Sequence, residues 1–134
     1  MSASNDENLA AGYGCGLIVY RAVPRNGWFK KQPPWVDFPV FAPRDDEPEG
    51  FSVFLSVEAL RASFHPKAIV SLKVGVVRNI HGLDVVEDTD PESPEGHALL
   101  VGIPLRREDR ERHEELAREL SKPENWRPVW GFEG

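Results

Sequence analysis

The chain has 134 residues, 40% hydrophobic and 28% charged, with 22 acidic against 16 basic side chains and a net charge of -6. This length suits one domain that buries a core without staples, and the acidic balance argues against binding duplex nucleic acid or an anionic membrane, since either needs a basic face. The single cysteine, Cys15, excludes an intrachain disulfide, and 12 prolines predict short elements separated by many loops.

Residues 1–14 read as a flexible polar tail, with neither the basic start nor the apolar segment of a signal peptide. No apolar run approaches the length of a membrane span, so the expected location is cytoplasmic. Residues 17–23 are β-branched and aromatic and predict a first strand, closed by Pro24. Prolines keep the next stretch irregular, and Trp28, Phe29, Trp35, Phe38 and Phe41 are expected to lie across one face of a sheet. After an exposed turn at 44–50, a second strand is expected over 51–55. Ser56 is placed to cap a short helix over 57–62.

Val70, Leu72, Val74 and Val76 alternate with Ser71, Lys73 and Gly75, which predicts a core strand with Val74 facing inward. A turn at 79–82 leads into a strand over 83–87, an acidic loop over 88–96, and a short apolar strand opened by His97 and broken by Pro104. The one long helix is expected from about Leu105 to Ser121. It has a thin stripe of His113, Leu116, Ala117 and Leu120, and pairs such as Glu108 with Arg112 and Glu114 with Arg118 at helical spacing. Each such pair contributes roughly 0.2–0.5 kcal/mol. Pro123 ends the helix, and Trp126, Trp130 and Phe132 follow. The expected fold is α+β: a single domain over 15–122 with a mostly antiparallel sheet of about five strands, one short helix and a longer C-terminal helix. It lies between the flexible tail and an aromatic tail over 123–134.

His97 is the first candidate for chemistry, an imidazole at the mouth of a core strand, where a satisfied structural histidine also commonly sits. Arg21 at the end of the first strand has the planar fork that clamps a carboxylate or phosphate, or it pairs with one of the many acids. Ser52 lies between Phe51 and Val53 without a Gly-x-Ser-x-Gly elbow. Arg78 and Asp84 flank the turn at 79–82 and either pair across it or face a shared pocket. The acids of the 88–96 loop lack calcium-loop spacing and read as a solvated turn. The four histidines are not at metal-ligand spacing, so no metal and no resident cofactor is expected. Trp130 and Phe132 are the expected contacts for a protein partner or a second copy of the chain, with Trp126 folding back onto the body.

Phe51-Ser52-Val53, Arg78, the run from Gly82 to Asp88, and Pro94-x-x-His97-Ala98-Leu99-Leu100-Val101-Gly102 resemble a group of small bacterial proteins without an established activity. That group carries a serine- and alanine-rich block before a phenylalanine where this chain has Asp37-Phe38-Pro39-Val40-Phe41. Tyr20-Arg21, followed by Phe54-Leu55-Ser56 and Ala59-Leu60, is similar to RES-type ADP-ribosyltransferase-like toxins. That similarity implies that Arg21 holds the pyrophosphate of NAD and that a late polar residue serves the ribose; no late glutamate matches. Two functions are therefore expected. One is a small interaction module, as in a bacterial defence or toxin–antitoxin operon. The other is a small nucleotide- or NAD-handling enzyme using Arg21, Ser52 and His97.

Overall fold

The computed structural model describes residues 13–133. The tail expected over 1–14 lies outside them except for Tyr13 and Gly14. In chain order the strands are β1 (Ile18–Val23), β2 (Phe29–Lys30), β3 (Trp35–Val36), β4 (Phe51–Phe54), β5 (Ala68–Lys73), β6 (Asp84–Glu87), β7 (His97–Val101) and β8 (Arg127–Trp130). The helices are α1 (Val57–Ser63), α2 (Val74–Asn79) and α3 (Arg110–Leu120). Six strands form one antiparallel sheet in the order β6-β7-β4-β1-β5-β8, and β2 and β3 form a separate two-stranded ribbon. The α+β expectation holds, with six strands in the main sheet instead of about five.

Period-two alternation divides the sheet into two faces. One carries Val19, Val23, Phe51, Val53, Val70, Leu72, Val85, Ala98 and Leu100, all at most 1% exposed. It is covered by Leu116 and Leu120 of α3, by Val74 and Val77 of α2, and by Val40 and Phe41 of a 3-10 turn. The other face is smaller: Phe54, Ile69 and Leu60 of α1 form its centre, with Tyr20 and Ala22 beside them.

The local signals for the helices are realised where sequence alone governs them. Ser56 Oγ accepts the N–H of Ala59 at 3.0 Å and caps α1. In α3 the buried residues are His113, Leu116, Ala117 and Leu120, the expected stripe. The helix itself starts later than expected, at Arg110, because Asp109 accepts the N–H of Arg112 at 3.0 Å and so caps it there. Glu108 instead accepts the N–H of Leu105, and Arg112 pairs with Glu115; the Glu114–Arg118 pair forms at 3.9 Å.

Two expectations are corrected. The strand expected to run through Val76 stops at Lys73, and the chain turns into α2. Lys73 pairs with Ile18, the first residue of β1, so no neighbouring strand remains beyond it. The next donors go instead to the segment before β1: Val74 N–H to the Leu17 carbonyl at 2.9 Å, and Gly75 N–H to the Cys15 carbonyl at 2.8 Å. Val74 is fully buried, but as a helix residue in step with Val77. The second correction concerns the aromatic tail. Arg127 to Trp130 form β8, the sixth strand, against β5. Trp126 is 3% exposed, with its Nε1–H on the Ser121 carbonyl, so it folds back as expected. Phe132 is only 8% exposed, meets Phe29 edge-on with ring centroids 5.2 Å apart, and lies against Trp126. It packs as a core residue. Among the described residues no helix is long and apolar enough to cross a membrane.

Candidate active site

Ser52 and His97 come together through strand register. Phe51 and Val53 point into the main core, so the side chain between them, Ser52, stands on the opposite face. β7 pairs with β4 so that His97 faces Phe54 and Leu99 faces Ser52, which puts the imidazole diagonally across from the serine on the same face. His97 Nε2 lies 2.7 Å from Ser52 Oγ. The His97 ring also packs edge-on against Phe54, with centroids 5.2 Å apart.

Asp88 completes this arrangement. β6 pairs with β7 up to Glu87 opposite Ala98, so the next residue out of β6 arrives beside the first residue of β7. Asp88 Oδ2 lies 2.6 Å from His97 Nδ1. The carboxylate is held from other sides by the Ser93 hydroxyl, which donates to Oδ2, and by the Asp90 N–H, 3.0 Å from Oδ1. These donors, the Ser93 hydroxyl foremost, then the Asp90 N–H and the His97 ring, hold the Asp88 carboxyl below the usual carboxylate range. The side chains of His97 and Asp88 are 11% and 12% exposed, so water competes little for these bonds. An ionised carboxylate only accepts, which assigns a ring proton to Nδ1 and places Nε2 at the Ser52 hydroxyl as the nitrogen that can take its proton. Gly96, with φ of +80°, turns the loop into β7 at a point where an added Cβ would lie 2.8 Å from the Ala59 side chain.

Arg21 reaches the same place from the other neighbour of β4. β1 and β4 share a single register pair, Tyr20 with Phe54, and beyond it the strands separate. The Arg21 side chain spans the gap: Nε–H donates to the Val40 carbonyl and Nη1–H to the main-chain carbonyl of Ser52, each at 2.8 Å. Its guanidinium carbon stands 4.3 Å above the centroid of Phe51. Burial lowers the Arg21 pKa to about 10, with Glu47 opposing and Arg44 adding to the effect, so the group is a cation at neutral pH. Among the described residues no carboxylate lies within ion-pairing distance of it, and Nη2 donates to no protein group. A half-buried cation held by carbonyls and a ring face, with Glu47 acting on it only from beyond bonding distance, favours an anion or a developing negative charge nearby.

The separation of β1 from β4 opens a cavity of about 250 Å³, lined by Arg21 and Ser52 together with Phe54, Phe64, Trp28 and Arg25. Arg25 stacks 4.9 Å from the Trp28 centroid, and Arg44 stands at the same cavity in contact with Asp46 and Glu47 at 3.5 Å. On its other side Ser52 borders an acidic groove with Glu47, Asp88 and Asp90. Ser52 and Glu47 thus border both the acidic groove and an aromatic cavity in which Arg21, Arg25 and Arg44 outnumber Glu47, and His97 backs Ser52 without lining either.

Of the residues singled out in sequence, the structure brings Arg21, Ser52 and His97 together. Arg78 and Asp84 form an ion pair at 2.7 Å across their turn and line neither of these cavities. Trp130 lies at the sheet edge, 38% exposed, with Arg61 stacked on its ring at 4.2 Å. Asp88 is the site residue that does not stand out in sequence, because its type and spacing match those of the other acids in its loop. Its place directly after the strand expected over 83–87 is the one available signal, and only the pairing of Glu87 with Ala98 brings it beside His97. Among the described residues no group of three or more His, Cys, Asp and Glu side chains is placed to hold a metal ion. No protein-family model, curated protein or solved structure matches the chain.

Proposed function

We propose that the protein is a small nucleotide-handling enzyme, with NAD and related nucleotides as its substrate class. The observation that carries this reading is that Arg21 and Ser52, from neighbouring strands, line one cavity, with His97 of a third strand bonded to Ser52 behind it. An interaction module has no need to bring these three together. Phe64 and Trp28 line the cavity and offer ring faces to a planar base, and Arg25, stacked on Trp28, and Arg44, which would exchange its contacts with Asp46 and Glu47, are the cations for its phosphates. Arg21 supplies an anchored positive charge behind them. His97, fixed by Asp88, holds the Ser52 hydroxyl with its oxygen free to accept from a ribose hydroxyl. Titration calorimetry with NAD and ADP tests the reading. Binding is expected in the wild type and at least about tenfold weaker in the Arg25→Ala, Arg44→Ala double variant, the loss of roughly 1.4 kcal/mol that a charged phosphate contact supplies. Equal affinity in both proteins, or no binding to either nucleotide, overturns it.

One observation favours the interaction reading as a second role. β8 is an edge strand all of whose residues are exposed, and Val129 and Trp130 are 40% and 38% exposed on it. A strand edge with unpaired backbone groups and an aromatic side chain is a site where a second copy or another protein adds on. Sedimentation equilibrium of the wild type is expected to show self-association that Trp130→Ser weakens while the melting temperature holds. A monomeric wild type removes the homodimer.

A further inference from the structure

We infer that Ser52 is a covalent nucleophile for short acyl esters, activated by His97 and Asp88. The inference goes beyond nucleotide handling and does not depend on it. A hydroxyl is a weak nucleophile until a base takes its proton in the transition state, and the base needs a third group to fix its tautomer and balance its charge. All three parts are present at bonding distance, 2.7 Å from Ser52 Oγ to His97 Nε2 and 2.6 Å from His97 Nδ1 to Asp88 Oδ2. Ser52 and His97 stand on paired strands and Asp88 directly follows a third, so the geometry is held by the sheet. The carboxylate is further locked by the Ser93 hydroxyl and the Asp90 N–H, which leaves it an orienting role and no freedom to swing away.

A polar network kept only for stability has no need of an opening, yet this one ends in a cavity. The cavity wall also includes Ala22, Pro24, Phe54 and Phe64, apolar groups that suit an acyl chain. Its volume of about 250 Å³ suits a short acyl group more than a long one. Arg21 stands against the main chain of the nucleophile and lines the same cavity, a fixed cation for the charge that develops on the ester oxygen.

The step balances as follows. Ser52 Oγ bonds to the ester carbonyl carbon while its proton passes to His97 Nε2, and the carbonyl π pair moves onto oxygen beside Arg21. When that pair returns, the ester C–O bond breaks, and the alcohol leaves with the proton from Nε2. Water, deprotonated by the same nitrogen, then attacks the acyl-serine; the acid departs and the proton returns to Ser52. Asp88 stays ionised throughout.

The test uses the full chain and a fluorophosphonate probe. In its reaction with serine, an Oγ–P bond replaces P–F, and fluoride leaves as the hydroxyl proton goes to the histidine. Peptide mapping is expected to find the label on Ser52, with p-nitrophenyl acetate hydrolysis lost in the labelled protein. Labelling should vanish in Ser52→Ala and slow at least about 100-fold in His97→Gln, with both melting temperatures near that of the wild type. Label on another residue, or labelling of Ser52 no faster than in the urea-unfolded chain, overturns the inference. If Ser52→Ala fails to fold, the wild-type peptide map and the folded-against-unfolded rate decide it. The same preparation is titrated with NAD. Labelling without NAD binding supports the nucleophile and removes the nucleotide reading, and NAD binding without labelling does the reverse.

Discussion

Asp88→Asn is expected to lower the rate of Ser52 labelling by about 10³–10⁴-fold while leaving the protein folded at neutral pH. An amide in place of the carboxylate can present its NH2 to Nδ1, which stabilises the wrong tautomer and places the proton on Nε2, where it must not be for the ring to accept from serine. Removing the negative charge also removes what balances the imidazolium formed during attack. The same substitution has a signature in stability. The folded-state pKa of Asp88 is lowered, by the Ser93 hydroxyl first and then by the Asp90 N–H and the His97 ring. The stability this contributes is therefore fully present above the unfolded carboxylate pKa of about 3.9 and is lost as pH falls through the lower folded value. The gap in unfolding free energy between wild type and Asp88→Asn should be largest above about pH 4 and close toward more acidic solution. Urea unfolding at a series of pH values measures it. A gap that stays constant down to pH 2 would mean that Asp88 is not held ionised by these donors.

Gly102→Val is expected to unfold the protein or cost at least about 3 kcal/mol, the upper range for a single change. Gly102 follows β7 with φ of +110°, a conformation that side-chain-bearing residues rarely adopt. A Cβ there would lie 2.1 Å from the carbonyl oxygen of Gly82 and 3.0 Å from the Leu83 side chain. The obstacle at 2.1 Å is backbone, so relief requires moving either the turn before β6 or the end of β7. Those two strands carry Asp88 and His97, and the strain should reach the site as well. A partly stable Gly102→Ala variant should show slower Ser52 labelling at a distance from the chemistry. Thermal and urea melts of both variants measure the first effect. A wild-type melting temperature in Gly102→Val would show that the close approach of these two turns is wrongly placed.

The helices show how far local sequence reaches. The α3 stripe, the Ser56 cap and the opening of β7 at His97 are all readable from the chain, because each is settled by residues within one or two turns of itself. Where the outcome depends on a distant segment, the same kind of pattern fails. Val70 to Val76 alternates as a strand should, but valines three apart serve a short helix as well, and the strand ends where β1 has no more backbone to pair with. Trp126 to Phe132 look like a loose aromatic tail until β5 supplies an edge for Arg127 to Trp130 to join.

The candidate site divides along the same line. Residue types alone made Arg21, Ser52 and His97 worth singling out, since each carries chemistry at the end or on the polar face of a strand. That they meet follows from the strand order β7-β4-β1, which puts the strand bearing Ser52 between those bearing His97 and Arg21. Period-two geometry determines that Ser52 turns away from the core that takes Phe51 and Val53, and this is legible in sequence. Which strand lies beside it, how far β1 and β4 separate, and which acid of the 88–96 loop reaches His97 are set by long-range pairing. Pairing energy is shared across the whole sheet, and no single stretch of the chain carries it.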